Sequence, residues 1–203
     1  MNAAPLPRLQ VIILAAGFSS RLGEPKALAR VHGTSLLRRT LTLAASIKSS
    51  RIIAVVPRNA ARFRIEAWGL KVAFSVNPHP DLGLSSSVRR GVAKARFAAA
   101  ILLVPVDLVN LRRRDMGKLI SRWRGAPRCM IARRLGLRGG TPLILPRWLF
   151  ARALEQVGDV GLRDLAEQLP RDAVRLVDLP SAQLDVDTQQ DLRSARQRLR
   201  PRG

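Results

Sequence analysis

The sequence holds a single cysteine, Cys129, which rules out an internal disulfide framework and any zinc site built from several cysteines. Tyrosine is absent and aromatic residues make up 4% of the chain, so there are few rings on which nucleic-acid bases could stack. No run reaches the roughly 18 apolar residues a membrane helix needs. Val11–Ala16 is apolar and follows Arg8, but it is too short for a signal-peptide core, and Pro5 and Pro7 interrupt what precedes it. A cytoplasmic protein without membrane association is therefore expected, and the lack of disulfides suits a reducing compartment. Acidic residues are also scarce: 14 stand against 36 basic ones, for a formal net charge of +22. Lysine is rare within that excess, occurring only at Lys26, Lys48, Lys71, Lys94 and Lys118. Strong basicity is one signature of nucleic-acid binding. Here the arginines scatter along the whole chain and become dense only from Arg193 to Arg202. That distribution fits an anionic small-molecule substrate better, and nucleic acid is not the expected partner.

The chain has 203 residues, 47% of them hydrophobic, enough for one substantial core. Strand and helix patterns alternate. Leu9–Leu14, Ile52–Val56, Lys71–Val76 and Ala100–Val106 read as strands, the first as a continuous apolar run of the kind buried on both faces. Arg128–Ala132, Thr141–Leu145 and Val174–Leu179 are later strand candidates. Helices are expected from Ser35 to Ile47, from Ser85 to Ala99, over about Arg113–Trp123, over Leu162–Gln168 and from Thr188 to Leu199, with the serine cluster at Ser85 read as an N-cap. No repeat, low-complexity block or linker divides the chain. The expectation is one α/β domain over residues 1–203: a mostly parallel sheet with helices on both faces, a core of about residues 9–192 and a basic end over 188–203. On such sheets ligands sit beyond the carboxyl ends of the strands. That rule selects the loops after Leu14, Val76, Val106 and Leu179.

The first of these loops runs Leu14-Ala15-Ala16-Gly17-Phe18-Ser19-Ser20-Arg21-Leu22-Gly23-Glu24-Pro25-Lys26. A strand passes directly into small residues followed by two cations. Gly17 can bring backbone N–H groups close to a ligand, and Ser19 and Ser20 add hydroxyl donors. Arg21 offers a planar fork suited to phosphate oxygens, and Lys26 a movable point charge. The segment is neither a G-x-G-x-x-G nor a Walker A sequence, which disfavours a Rossmann dinucleotide site and a P-loop.

This segment resembles the L-A-[AG]-G-x-[SA]-x-R-[ML]-G-x-x-K signature of the MobA-like NTP transferases and matches it at every fixed position. Lys26-Ala27-Leu28, Val31-His32-Gly33 and Leu36-Leu37 continue the likeness, with His32 at a variable position. The resemblance implies a GT-A type, Rossmann-like fold in which this loop wraps the triphosphate. The nucleotide-binding residues it implies are Leu14, Ala15, Ala16, Gly17, Ser19, Ser20, Arg21 and Lys26, with Arg21 and Lys26 neutralising charge at the transferred phosphorus. Ala16 stands where many guanylyl-transferring members carry glycine. Asn77-Pro78 and Gly83-Leu84-Ser85-Ser86-Ser87-Val88 resemble an element of the molybdenum cofactor cytidylyltransferase group, and imply that Ser87, with Ser86 beside it, holds the base. Gly139-Gly140-Thr141-Pro142 and Gly158-Asp159-Val160-Gly161-Leu162-Arg163 resemble two further elements of that group.

Asp107 ends the most apolar strand, where a carboxylate is costly unless solvated, paired or metal-bound. It resembles the metal-binding Asp of the family's D-x-P element, although Val109 replaces the proline. Asp185-Val186-Asp187-Thr188, followed by Asp191, resembles the family's D-[IV]-D-T-x-x-D segment. The implied metal set is Asp107, Asp185 and Asp187. Asp185 is favoured as the ligand and Asp187 for capping the last helix or supporting the site from outside. The implied metal is Mg²⁺, with Mn²⁺ able to replace it. The implied reaction is attack of an acceptor phosphate on the α-phosphorus of CTP with loss of pyrophosphate, carried by Arg21, Lys26 and Asp107. Such a nucleophile is already anionic and needs no general base, in keeping with the absence of a convincing Ser-His-Asp or Cys-His set. The implied acceptor is molybdopterin, with a molybdoenzyme as recipient of the product. Three alternatives stay open: GTP as donor, a sugar or alcohol phosphate as acceptor, and a cofactor-carrying chaperone without turnover.

Overall fold

The computed structural model describes residues 8–17, 22–47, 49, 51–158 and 162–199. Nine strands are described, in chain order β1 (Leu9–Leu14), β2 (Arg30–Val31), β3 (Thr34–Ser35), β4 (Arg51–Pro57), β5 (Val72–Asn77), β6 (Ala100–Pro105), β7 (Met130–Leu135), β8 (Arg138–Pro146) and β9 (Val174–Val177). The α-helices are α1 (Leu36–Ala45), α2 (Ala61–Ile65), α3 (Leu84–Lys94), α4 (Arg113–Gly125), α5 (Phe150–Glu155), α6 (Leu162–Glu167) and α7 (Gln189–Arg198). Seven strands form one sheet in the order β5-β4-β1-β6-β8-β7-β9, and β2 and β3 form a separate short hairpin. β1 pairs in parallel with β4 and β6, β4 with β5, and β7 with β9. β8 alone runs against its neighbours β6 and β7. The sheet is thus mostly parallel and flanked by helices, as the alternating pattern predicts.

The alternation of side chains along β1 divides the core in two. Val11 and Ile13 face one layer, where Leu37 and Leu41 of α1, Met116, Leu119 and Trp123 of α4, and Leu192 and Ala195 of α7 cover the sheet. Ile12 and Leu14 face the other, with Val88 and Val92 of α3, Phe150 and Ala153 of α5, and Leu165 of α6. Both faces are dry, which is why β1 and β6 read as unbroken apolar runs.

Four features depart from the sequence reading. α2, α5 and the β2–β3 hairpin are short elements with too few turns to show a period. β8 begins at Arg138, earlier than Thr141, because Gly139 and Gly140 carry no apolar signal yet pair with Arg134 and Arg133. α3 begins at Leu84, and its N-cap is Gly83 at φ 85° rather than a serine. α7 is capped by Thr188, whose hydroxyl accepts from the Asp191 N–H at 3.1 Å, so Asp187 has no capping role.

Candidate active site

The carboxyl ends of β1 and β6, with the segment that follows β5, open on a cavity of about 400 Å³, lined among others by Leu14, Ala15, Gly17, Lys26, Gly83, Leu84, Ser87 and Asp107. Each lining residue arrives by a local rule. β1 hands over to Ala15, whose N–H donates to the Val55 carbonyl at 2.9 Å, so the parallel ladder persists one residue past the strand. Gly17 is exposed, and a Cβ built on it meets nothing within 4 Å. Its φ lies outside the left-handed region, so what glycine supplies here is open space beside the backbone. Ser19, Ser20 and Arg21, expected from the sequence to touch phosphates, lie outside the described residues, as do Asp159, Val160 and Gly161. Ala16 is buried in the second core layer, not in the cavity wall.

Lys26 opens a 3-10 turn directly after Pro25, whose φ is −56°. Its ammonium donates to Asp107 Oδ2 at 3.2 Å and to Asp187 Oδ1. The side chain is 16% exposed and that of Asp107 26%. Burial pushes the Lys26 pKa down, but the two carboxylates outweigh it, and the net direction is up. Lys26 is therefore a firmly charged cation at the mouth of the glycine turn.

Asp107 and the late acidic segment, 78 or more residues apart in sequence, meet through the backbone. The Val186 N–H donates to the Asp107 carbonyl at 3.1 Å, and Leu108 forms an antiparallel bridge with Asp185. That short ladder carries Asp187 to Lys26. Asp185 takes a different partner: its Oδ1 lies 3.7 Å from Arg133 Nη1. Burial, and after it the nearness of Asp107, raise the Asp185 pKa, with Arg133 opposing. The sequence reading favoured Asp185 over Asp187 at the site, whereas the described geometry brings Asp107 and Asp187 to one cation and turns Asp185 towards Arg133. Among the described residues no group of three His, Cys, Asp or Glu side chains is drawn close enough to hold a metal ion. The two-carboxylate seat around the Lys26 ammonium nonetheless has the hard oxygen donors that Mg²⁺ and Mn²⁺ take. Val109, at the position of the family's proline, is buried, and its N–H donates to the Asp107 carbonyl at 2.8 Å.

The serine cluster turns inward. Asn77, 1% exposed at the end of β5, donates from Nδ2 to Ser86 Oγ at 2.8 Å and to Ser87 Oγ at 3.0 Å. The Ser86 hydroxyl in turn donates to the Gly83 carbonyl at 2.7 Å. Ser87 lines the cavity, whereas Ser86 lines a second, smaller one. His32 and His79 take no part in the cavity wall: His32 is exposed, with Nε2 2.6 Å from the Leu199 carbonyl.

Arg133 was not singled out from the sequence. It is 7% exposed, on a strand whose register shifts between Ala132 and Arg133. Bulges of this kind re-aim a side chain. The available signal was Arg133-Arg134 in succession at the end of an apolar strand, since alternation sends one of two neighbours inward. Pro80 and Asp81, which also line the cavity, carry no comparable signal.

Small residues, a lysine and an aspartate thus line one cavity at the carboxyl edge of a largely parallel sheet, where ligands of such folds bind. The chain belongs to the MobA-like NTP transferase domain family, whose sequence profile matches residues 11–174. It is 34% identical over 110 residues to a molybdenum cofactor guanylyltransferase of Xanthomonas euvesicatoria, a match spanning 54% of this chain and 52% of that protein. A probable molybdenum cofactor guanylyltransferase of Rhodopirellula baltica is 28% identical over 94% of this chain and 92% of its own length. The crystal structure of Rv0371c from Mycobacterium tuberculosis H37Rv superposes with a TM-score of 0.77 at 26% identity, covering 95% of this chain and all of that one. No described helix is long and apolar enough to cross a membrane.

Proposed function

We propose that this chain transfers a nucleoside monophosphate from an NTP to the phosphate of molybdopterin, releasing pyrophosphate. The carrying observation is the convergence of Lys26 and Asp107 on the wall of the cavity that the glycine turn opens. A bound divalent ion, Mg²⁺ or Mn²⁺, would supply charge neutralisation of the triphosphate; Asp107 and Asp187, which share the Lys26 ammonium, are the residues that would hold it. Lys26 and the N–H groups of the turn orient the α-phosphate and balance the negative charge that grows on it. Arg21, five residues before Lys26, is assigned the same task by its place in the motif. The acceptor phosphate needs no base, and catalysis is positioning plus electrostatics. Ser87, held by Asn77 at the cavity wall, is the candidate for contact with the base.

The donor is proposed as CTP on the strength of Ala16 and the Gly83–Val88 element. Relatives named as guanylyltransferases favour GTP, which makes guanylyl transfer the second reading. Relatives named for the molybdenum cofactor support molybdopterin as the acceptor; a recipient molybdoenzyme is part of the same proposal, and the net positive charge suits both an anionic pterin and an acidic protein patch. A panel of CTP, GTP, ATP and UTP with molybdopterin, read by pyrophosphate release with and without EDTA, tests the proposal. Release with one nucleotide, dependent on acceptor and divalent ion, is expected. Nucleotide binding without release under every combination would leave a carrier protein instead.

A further inference from the structure

The cation seat between Asp107 and Asp187 is filled by a side chain of the protein itself. Lys26 Nζ donates to both carboxylates. Two carboxylates brought together without a cation repel each other, and Asp185, within Coulombic reach of Asp107, adds a third negative charge. Among the described residues a second cation nearby, Arg133, is paired with Asp185 and not with the seat. It is 7% exposed on a β-strand, whereas Lys26 lies in a loop turn at the cavity wall and carries a flexible four-carbon stem. The two cations therefore differ in kind: Arg133 is a fixed counter-charge and Lys26 a movable one.

We propose, taking the cleft to be a nucleotidyl-transfer site, that Lys26 is a positioning residue as well as a phosphate ligand. In the ligand-free protein its ammonium holds Asp107 and Asp187 side by side. It yields those carboxylates when a divalent cation and a nucleotide enter together, and passes to the phosphates. The seat is kept assembled without a metal, and the lysine and the metal compete for it. A ligand that draws the ammonium away then favours metal binding, and the coupling is reciprocal.

The test is Mn²⁺ binding to the nucleotide-free protein, followed by calorimetry or by the electron spin resonance of free Mn²⁺, beside nucleotide binding in EDTA. Lys26→Met is expected to tighten Mn²⁺ binding about ten-fold, because the competing charge is gone, and to weaken metal-free nucleotide binding by a similar factor. Lys26→Arg, which keeps the charge, is expected to show no tightening and guards against loss of fold in the methionine variant. Arg133→Met, which removes a charge outside the seat, is expected to change Mn²⁺ affinity less than about three-fold. A purely structural lysine would weaken both ligands in Lys26→Met, and that result overturns the proposal. Equal tightening in Lys26→Met and Arg133→Met overturns it too, since a general field would then explain the effect. If the wild type releases no pyrophosphate yet the opposite shifts are found, nucleotidyl transfer fails and the exchange stands. If pyrophosphate is released and the shifts are absent, the reverse holds.

Discussion

Gly91 shows how tightly single positions are set beneath the cavity. It lies in α3, where the helix crosses β1 and β4, and a Cβ there would stand 2.7 Å from Ile12 Cγ2 and 3.2 Å from Val55 Cγ2. Both neighbours are fully buried and cannot swing away. Alanine's better helix propensity, ~1 kcal/mol, offsets part of an overpacking cost of roughly 1–3 kcal/mol. Gly91→Ala is therefore expected to lower the urea midpoint, and an unchanged or higher midpoint would show that the layers can part at no cost. At Asp107 the expected effect is chemical. Asp107→Ala removes a carboxylate that is 26% exposed and keeps the backbone ladder to Val186. Divalent-ion-dependent pyrophosphate release should fall at least about 10²–10³-fold with the circular dichroism spectrum unchanged. Retained activity would remove Asp107 from the mechanism. Asp107 was legible in the sequence because it follows an apolar strand, and Lys26 because it closes the motif that begins at the end of β1. Arg133 was not, because its role depends on a register shift and on a partner 52 positions away.

The element scale is best seen in α7. Thr188 accepts from the Asp191 N–H, and Asp191 Oδ2 accepts in return from the Thr188 N–H at 2.8 Å and hydroxyl at 2.8 Å. This reciprocal cap ends the segment that carries Asp185 and Asp187, so it fixes where the acidic pair stops and the helix begins. Thr188→Ala should cost about 1 kcal/mol of stability, measured by thermal or urea unfolding. The Thr188 hydroxyl, and with it the Asp187 and Thr188 N–H groups, hold the Asp191 carboxyl below its usual range. A carboxylate held low in the folded state adds stability above its unfolded pKa of roughly 4, and that increment is lost as the pH falls through the lower folded value. The difference in melting temperature between wild type and Asp191→Asn should accordingly be present at neutral pH and shrink below about pH 4. A difference that persists undiminished at pH 2 would sink this assignment. In α3 the sequence misled in an instructive way. Serines before an apolar stretch are good cap signals, yet Gly83 takes the cap with φ 85°, and Ser86 and Ser87 turn to Asn77. Which of several capping residues ends at the cap depends on what the strand opposite offers, and the sequence alone does not contain that.

At the scale of the molecule the dominant quantity is the net charge of +22. Its arginines scatter along the whole chain, and described acidic partners such as Glu66, Asp178 and Glu167 serve a few of them. Self-repulsion of this size opposes the compact state and is screened by salt, with a Debye length of about 10 Å at 0.1 M. The melting temperature is expected to rise between about 20 and 200 mM sodium chloride. A fall would mean that local ion pairs outweigh the net field.

The sequence by itself determined the α/β alternation, the single doubly covered sheet, the motif that opens the cavity and the candidate residues at its rim. These are local or periodic signals, carried by burial pattern and by loop composition at strand ends. Tertiary structure alone decided that Asp187 rather than Asp185 meets Lys26, that Arg133 answers Asp185, that Ser86 and Ser87 serve Asn77, and that β8 runs against its neighbours. The first two are contacts between segments far apart in the chain, the Asn77 contacts span nine and ten positions, and β8 turns back on β7 after two residues; in all four the geometry follows from strand order and packing, which no local pattern encodes.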